Sequence, residues 1–223
     1  MTRPPVPGKI VCVGRNYVAH AKELGNEVPE RPLLFLKPPS SVVAPGEAIV
    51  LPPESAQVEF EGEIGVVVGR RLRHAGEAEA AAAVRGIVAL NDVTARDLQR
   101  TDGQWTRAKG FDTFCPIGPE APAPGDLAAI EVVTRVNGEE RQRGTAGQMA
   151  FPIATILAYV SGIMTLEPGD VIATGTPAGV GRLGAGDEVE VEVLGLSVVR
   201  NPVAGPQGGL AGAGAGNRSA HEG

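Results

Sequence analysis

Glu61 and Glu63 stand two residues apart inside an apolar, β-branched run, and a third carboxylate, Asp92, closes another such run. Side chains at i and i+2 of a strand share one face, so Glu61 and Glu63 project together. Carboxylates crowded at the end of a buried strand repel one another unless a cation or a proton sits between them. Three hard oxygen donors, with no Cys or His cluster competing, suit Mg²⁺ or Mn²⁺ better than Zn²⁺. The same alternation, which Glu59 extends, also suits the wet face of a half-buried antiparallel strand. The carboxylates by themselves leave both readings open.

Histidine is scarce. His221 lies in Gly/Ala-rich sequence near the C-terminal end and His74 in a polar turn, whereas His20 falls in a helical stretch three residues before Glu23. Residues three apart share a helix face, so the carboxylate can meet the imidazole, fix its tautomer and orient it as a general base for water. An exposed ion pair is the plain alternative. Lys109 stands among small residues in Thr106-Arg107-Ala108-Lys109-Gly110, and Asp92-Val93-Thr94-Ala95-Arg96-Asp97-Leu98-Gln99 gathers polar groups directly after the third carboxylate. The Gly-rich turn Thr174-Gly175-Thr176-Pro177-Ala178-Gly179-Val180-Gly181 lacks the Gly-Lys-Ser/Thr ending of a phosphate-binding loop. Each segment alone also reads as a turn or a helix cap.

The elements that must position these groups follow from periodicity and breakers. Strands are expected at 9–13, 33–36, 49–51, 58–68, the run ending at Asn91, 130–136, 171–174 and 188–194, with Asn137-Gly138 as a hairpin turn. Helices are expected over 16–24, closed by Gly25, over the Ala-rich 77–85, and from Pro152 to Ser161 with Gly162 near the end. Prolines keep 26–32 irregular. Many short strands with few helices give an α+β class with a mainly β core.

With 223 residues the chain suffices for one sizeable domain. A net charge of −6 and the lack of a basic run argue against nucleic-acid and anionic-membrane partners. Cys12 and Cys115 lie in apolar contexts and read as buried free thiols of a reducing compartment. With no secretory h-region and no apolar run of spanning length, a soluble cytoplasmic protein is expected. The sequence from 204 to 223 reads as a disordered Gly/Ala-rich tail.

In this order, Gly14-Arg15-Asn16-Tyr17, Leu34-Phe35-Leu36-Lys37-Pro38, Glu61-Gly62-Glu63-Ile64-Gly65, Asp92-Val93-Thr94-Ala95-Arg96-Asp97 and Thr174-Gly175-Thr176-Pro177 resemble the fumarylacetoacetate hydrolase family. The likeness is to its short, single-domain branch of acylpyruvases and oxaloacetate decarboxylases. The resemblance implies a mixed β-sandwich roll, one catalytic domain over residues 1–203, a Mg²⁺ or Mn²⁺ ion and a homodimer. It implies metal ligands at Glu61, Glu63 and Asp92, a catalytic dyad at His20 and Glu23, and an active-site lysine at Lys109. Substrate contacts fall on Arg15, Gln99 and Thr176, and residues 14–33 carry the dyad helix and a lid. The connection from Gln99 to Trp105, part of the pocket lining in this branch, is short. The implied reaction is metal-dependent C–C cleavage of acylpyruvates, or decarboxylation of oxaloacetate, through a pyruvate enolate. Hydroxyheptadienedioate-type isomerisation, diketo-sugar-acid hydrolysis and a non-catalytic metal-binding module are the alternatives.

Overall fold

The computed structural model describes residues 6–23, 25 and 27–206. Its first eight strands are β1 (Ile10–Gly14), β2 (Leu33–Lys37), β3 (Val42–Val43), β4 (Ile49–Val50), β5 (Val58–Phe60), β6 (Gly62–Val68), β7 (Val84–Asn91) and β8 (Thr94–Ala95). The remainder are β9 (Cys115–Pro116), β10 (Ala121–Pro122), β11 (Glu131–Val136), β12 (Glu139–Thr145), β13 (Val171–Ala173), β14 (Gly181–Arg182), β15 (Glu188–Val193) and β16 (Ser197–Ala204). Among the described residues five α-helices join them: α1 (Val18–Glu23), α2 (Glu77–Ala81), α3 (Arg96–Thr101), α4 (Thr106–Lys109) and α5 (Ile153–Ile163). The class is α+β with strands dominant, as expected.

The main sheet has the order β10-β7-β6-β13-β1-β2. Every residue of β6 is buried, which explains its near-continuous apolar sequence. A second sheet, β12-β11-β15-β16-β4, supplies the facing layer. Glu-Val alternation along β15 puts Val189, Val191 and Val193 inside and leaves the glutamates at or near the surface. Ile64, Val66 and Val68 of β6 share one core cluster with Val132, Val191, Val193 and Val199 of that sheet and with Ile153, Ile156, Leu157 and Val160 of α5. The β11–β12 hairpin turns on Asn137 (φ 53°) and Gly138 (φ 81°), the two left-handed residues a tight two-residue hairpin requires.

Sheet topology gathers the chemistry at one end. β6 and β7 are antiparallel with Gly62 opposite Asn91, so Glu61 and Asp92 emerge side by side just past the ladder. β13 runs antiparallel to β6 and parallel to β1, so Thr174-Gly175 and Gly14-Arg15 leave the sheet at that same end.

Several boundaries differ from expectation. The single strand over 58–68 is broken at Glu61, because its N–H goes to the Asn91 side chain and the Gly62 N–H to Gln142 rather than to a ladder. The Ala-rich helix stops at Ala81, since Val84 and Arg85 are drawn into β7, where strand pairing outweighs propensity. α5 runs through Gly162 to Ile163. Helices α3 and α4 were not anticipated. Ala204 ends β16 in parallel pairing with Val50, so the expected tail loses its first residue, and the stretch 207–223 lies outside the described residues.

Candidate active site

Glu61, Glu63 and Asp92 are all buried, and each offers an oxygen within 4.8 Å of the others. Three cations surround them. Lys109 Nζ donates to Glu61 Oε2 at 2.8 Å and to Asp92 Oδ2 at 2.6 Å. Lys37 Nζ donates to Asp92 Oδ1 at 2.6 Å and to the Val93 carbonyl at 3.1 Å. The Arg96 guanidinium is shared between Glu61, Glu59 and the Gln99 amide oxygen. Glu63 differs from the other two carboxylates. Among the described residues it has no ion-pair partner, and its Oε2 accepts only the Gly175 N–H at 2.8 Å.

The electrostatics follow from that asymmetry. Burial alone would raise the Glu61 carboxyl, but Lys109 and Arg96 outweigh it and hold it well below the usual carboxylate range. Burial, then the neighbouring Asp92 and Glu61 charges, push the Glu63 carboxyl well above that range. Burial opposes the Lys109 ammonium, yet Asp92 and Glu61 hold it raised. Counting Glu59, four carboxylates meet three cations, so the cluster is short of positive charge. A hard divalent cation among Glu61, Glu63 and Asp92 fits both the donor chemistry and the missing charge.

The cluster floors a cavity of 490 Å³, ample for a small organic acid. Arg15, His20, Gln99, Lys109 and Thr176 all line it, together with Phe35, Arg96, Arg100 and Trp105. Phe35 and Trp105 form one wall, edge to face with centroids 5.3 Å apart, and Lys109 Nζ lies 4.9 Å from the Phe35 ring. His20 Nδ1 faces Glu23 Oε2 at 3.3 Å, which leaves Nε2 as the nitrogen free for a reacting group. Glu23 is anchored rather than free. Both of its oxygens accept from the Gly179 N–H, at 3.0 and 3.1 Å.

The Gly-rich turn after β13 therefore acts at three points. Gly175 N–H holds Glu63, Thr176 Oγ1 donates to the Gly62 carbonyl at 2.8 Å, and Gly179 holds Glu23. Gly179 has φ +101°, and a Cβ there would lie 2.1 Å from the Arg141 carbonyl, so the anchor requires glycine. Reasoning from sequence gave this turn a substrate contact at Thr176 but not its anchoring role. It placed the connection from Gln99 to Trp105 at the pocket without singling out Arg100 or Trp105, and it gave Lys37 no function. Lys37 ends an apolar run in the sequence, and only the structure shows that β2 buries it while exposing Leu36, an inversion of the usual pattern. Cys12 and Cys115 are free and buried, and burial pushes Cys115 up to about 12, far from a reactive thiolate.

Comparison with known proteins places the chain among relatives. An uncharacterised protein of Methanocaldococcus jannaschii is 49% identical over 197 residues, covering 88% of this chain and 83% of the relative. The human mitochondrial oxaloacetate tautomerase FAHD2A is 44% identical over 209 residues, 88% of this chain and 67% of its own. The structure of a 5-carboxymethyl-2-hydroxymuconate delta-isomerase from Mycobacterium smegmatis superposes with a TM-score of 0.84 at 44% identity, over 91% of this chain and 81% of that one. No helix among the described residues is long and apolar enough to cross a membrane. The family model of the fumarylacetoacetate hydrolase C-terminal region matches residues 9–204, and the chain belongs to the fumarylacetoacetate hydrolase family, whose members are enzymes that commonly bind divalent metals.

Proposed function

We propose that this chain is a divalent-metal-dependent enzyme of small 2-oxo acids that works by stabilising their enolate, with keto–enol tautomerisation of oxaloacetate as its leading reaction. The observation that carries the reading is the buried carboxylate triad, in a cluster one positive charge short of neutrality, on the floor of a cavity walled by cations. The names of the human relative and of the mycobacterial isomerase both describe keto–enol or double-bond shifts, which supports this choice.

A Mg²⁺ or Mn²⁺ ion held by Glu61, Glu63 and Asp92 would supply a Lewis acid to the substrate's 2-oxo and carboxylate oxygens. The chain's own groups do the rest. Lys109, fixed between two carboxylates, offers positive charge to the oxygen that becomes an enolate, with no reorganisation needed. Arg15, which has no acidic partner among the described residues, holds the anionic substrate. The Gln99 amide oxygen is taken by Arg96, which turns its NH₂ toward the ligand as a donor. The Thr176 hydroxyl spends its proton on Gly62 and accepts from Gln142, so a bound oxygen would meet its backbone rather than its O–H. In tautomerisation the enol O–H proton is lost and one is gained at C3, and His20 Nε2 is the group suited to carry it.

The anchored His20–Glu23 dyad favours a second reading, hydrolysis of acylpyruvates. His20 would take a proton from water, the hydroxyl would add to the distal carbonyl, and the C–C bond electrons would pass to departing pyruvate enolate. Decarboxylation of oxaloacetate needs the same enolate and no attacking water. A cytoplasmic homodimer completes the proposal. The deciding experiment follows ketonisation of enol-oxaloacetate beside pyruvate release from oxaloacetate and acetylpyruvate, with Mg²⁺, Mn²⁺ and EDTA. Metal-dependent ketonisation faster than either cleavage supports tautomerisation, dominant pyruvate release supports the second reading, and EDTA-insensitive turnover refutes both.

A further inference from the structure

Four cations line the cavity, and three have duties already described. Lys109 and Arg96 are committed to the buried carboxylates, and Arg15 is assigned to the substrate. Arg100 is left over. Arg96, Gln99 and Arg100 occupy positions i, i+3 and i+4 of α3 and so share the helix face turned to the cavity. Along that face Arg96 is buried, Gln99 half-buried and Arg100 exposed, so the row climbs from the floor to the mouth.

The Arg100 side chain has no carboxylate partner among the described residues. Its polar contact is Nη1 to Gln57 Oε1 at 3.2 Å. Gln57 is itself oriented, because its NH₂ donates to Glu59 Oε1, which fixes the amide oxygen toward Arg100. A neutral acceptor thus holds the guanidinium in place without neutralising it. A divalent ion in the triad would turn the floor's negative excess into a positive one, which the carboxylate beside a 2-oxo group balances. The charges of Arg15 and, at the mouth, of Arg100 then stay uncompensated, so the cavity calls for a second anionic group on the substrate. Between floor and mouth, the Phe35–Trp105 wall offers a flat apolar surface for a short carbon skeleton.

We propose that Arg100 is the specificity-determining residue that takes the distal carboxylate of a 2-oxo dicarboxylate, so that the cavity prefers dianionic substrates over acylpyruvates with a neutral end. The inference rests on the 2-oxo acid chemistry proposed above.

Trp105 is the only tryptophan of the chain and lies in the cavity wall, so its fluorescence reports binding without turnover. The test titrates Mg²⁺-loaded wild type, Arg100→Gln and Arg100→Lys with 2-oxoglutarate and with 2-oxopentanoate, which differ only in the distal carboxylate. Wild type is expected to bind 2-oxoglutarate about five- to tenfold more tightly, the Gln variant to lose that preference through weaker 2-oxoglutarate binding, and the Lys variant to recover part of it. With oxaloacetate, the Gln variant should raise KM and hold kcat. Equal binding of both ligands by wild type, or equal weakening of both in Arg100→Gln, overturns the role of Arg100 and leaves the 2-oxo acid reading standing. Binding of neither ligand overturns both.

Discussion

Replacing Glu63 by Gln should make the metal-free protein more stable while sharply weakening its response to metal. Glu63 is 2% exposed, lacks a cationic partner among the described residues and faces Asp92 and Glu61. An uncompensated buried charge costs about 3–5 kcal/mol, part of which the Gly175 hydrogen bond offsets. The glutamine keeps that acceptor and drops the charge, so the net gain is about 2 kcal/mol, or about 4–8 °C in Tm for a chain of this size. Metal at a hundred times its Kd should stabilise wild type by about 2.7 kcal/mol, and the variant by far less. The sign of the pH dependence is fixed as well. Because burial and the neighbouring carboxylates raise Glu63 in the folded state, its contribution to metal-free wild type is fully present below the ordinary value of 4.5 and is lost as pH rises through the raised one. The variant lacks that loss. Thermal melts in EDTA, Mg²⁺ and Mn²⁺ at acidic and neutral pH measure all three effects. A variant less stable than wild type in EDTA, or one that keeps the full metal shift, would refute the charge argument.

Three further substitutions separate the roles of neighbouring groups. His20→Ala should cut acetylpyruvate hydrolysis by about 10²-fold or more while sparing oxaloacetate decarboxylation, measured as pyruvate release; equal losses would remove water activation from the dyad. Lys109→Met should lower kcat for every enolate-forming reaction by about 10²–10³-fold, and unchanged kcat would contradict its electrostatic role. Gly62→Ala would place a Cβ 1.8 Å from Thr134 Oγ1, so urea unfolding should register about 1–3 kcal/mol of lost stability, and a neutral result would mean the sheet ends yield more easily than their packing implies.

The sequence alone determined what local rules govern. Spacing placed Glu61 and Glu63 together, His20 and Glu23 on one helix turn, and Asn137-Gly138 at a hairpin, because strand pleat, helical pitch and left-handed φ are properties of a few adjacent residues. Ordered motifs carried the family resemblance. Tertiary structure decided whatever depends on distant partners. Propensity favoured a helix through Arg85, but pairing with β6 made Val84–Asn91 a strand. Lys37 pairs with Ile10, at the end of β1 away from Gly14, and only folding lets its buried side chain reach Asp92. The Gly-rich turn became the anchor of Glu63 and Glu23 only through the parallel pairing of β1 with β13. Charge balance belongs to the same class: no spacing reveals that Lys37, Arg96 and Lys109 serve Glu61 and Asp92 and leave Glu63 alone. Local geometry is written in short windows of sequence, whereas a buried site's electrostatics is a sum over side chains that meet only after the sheets close.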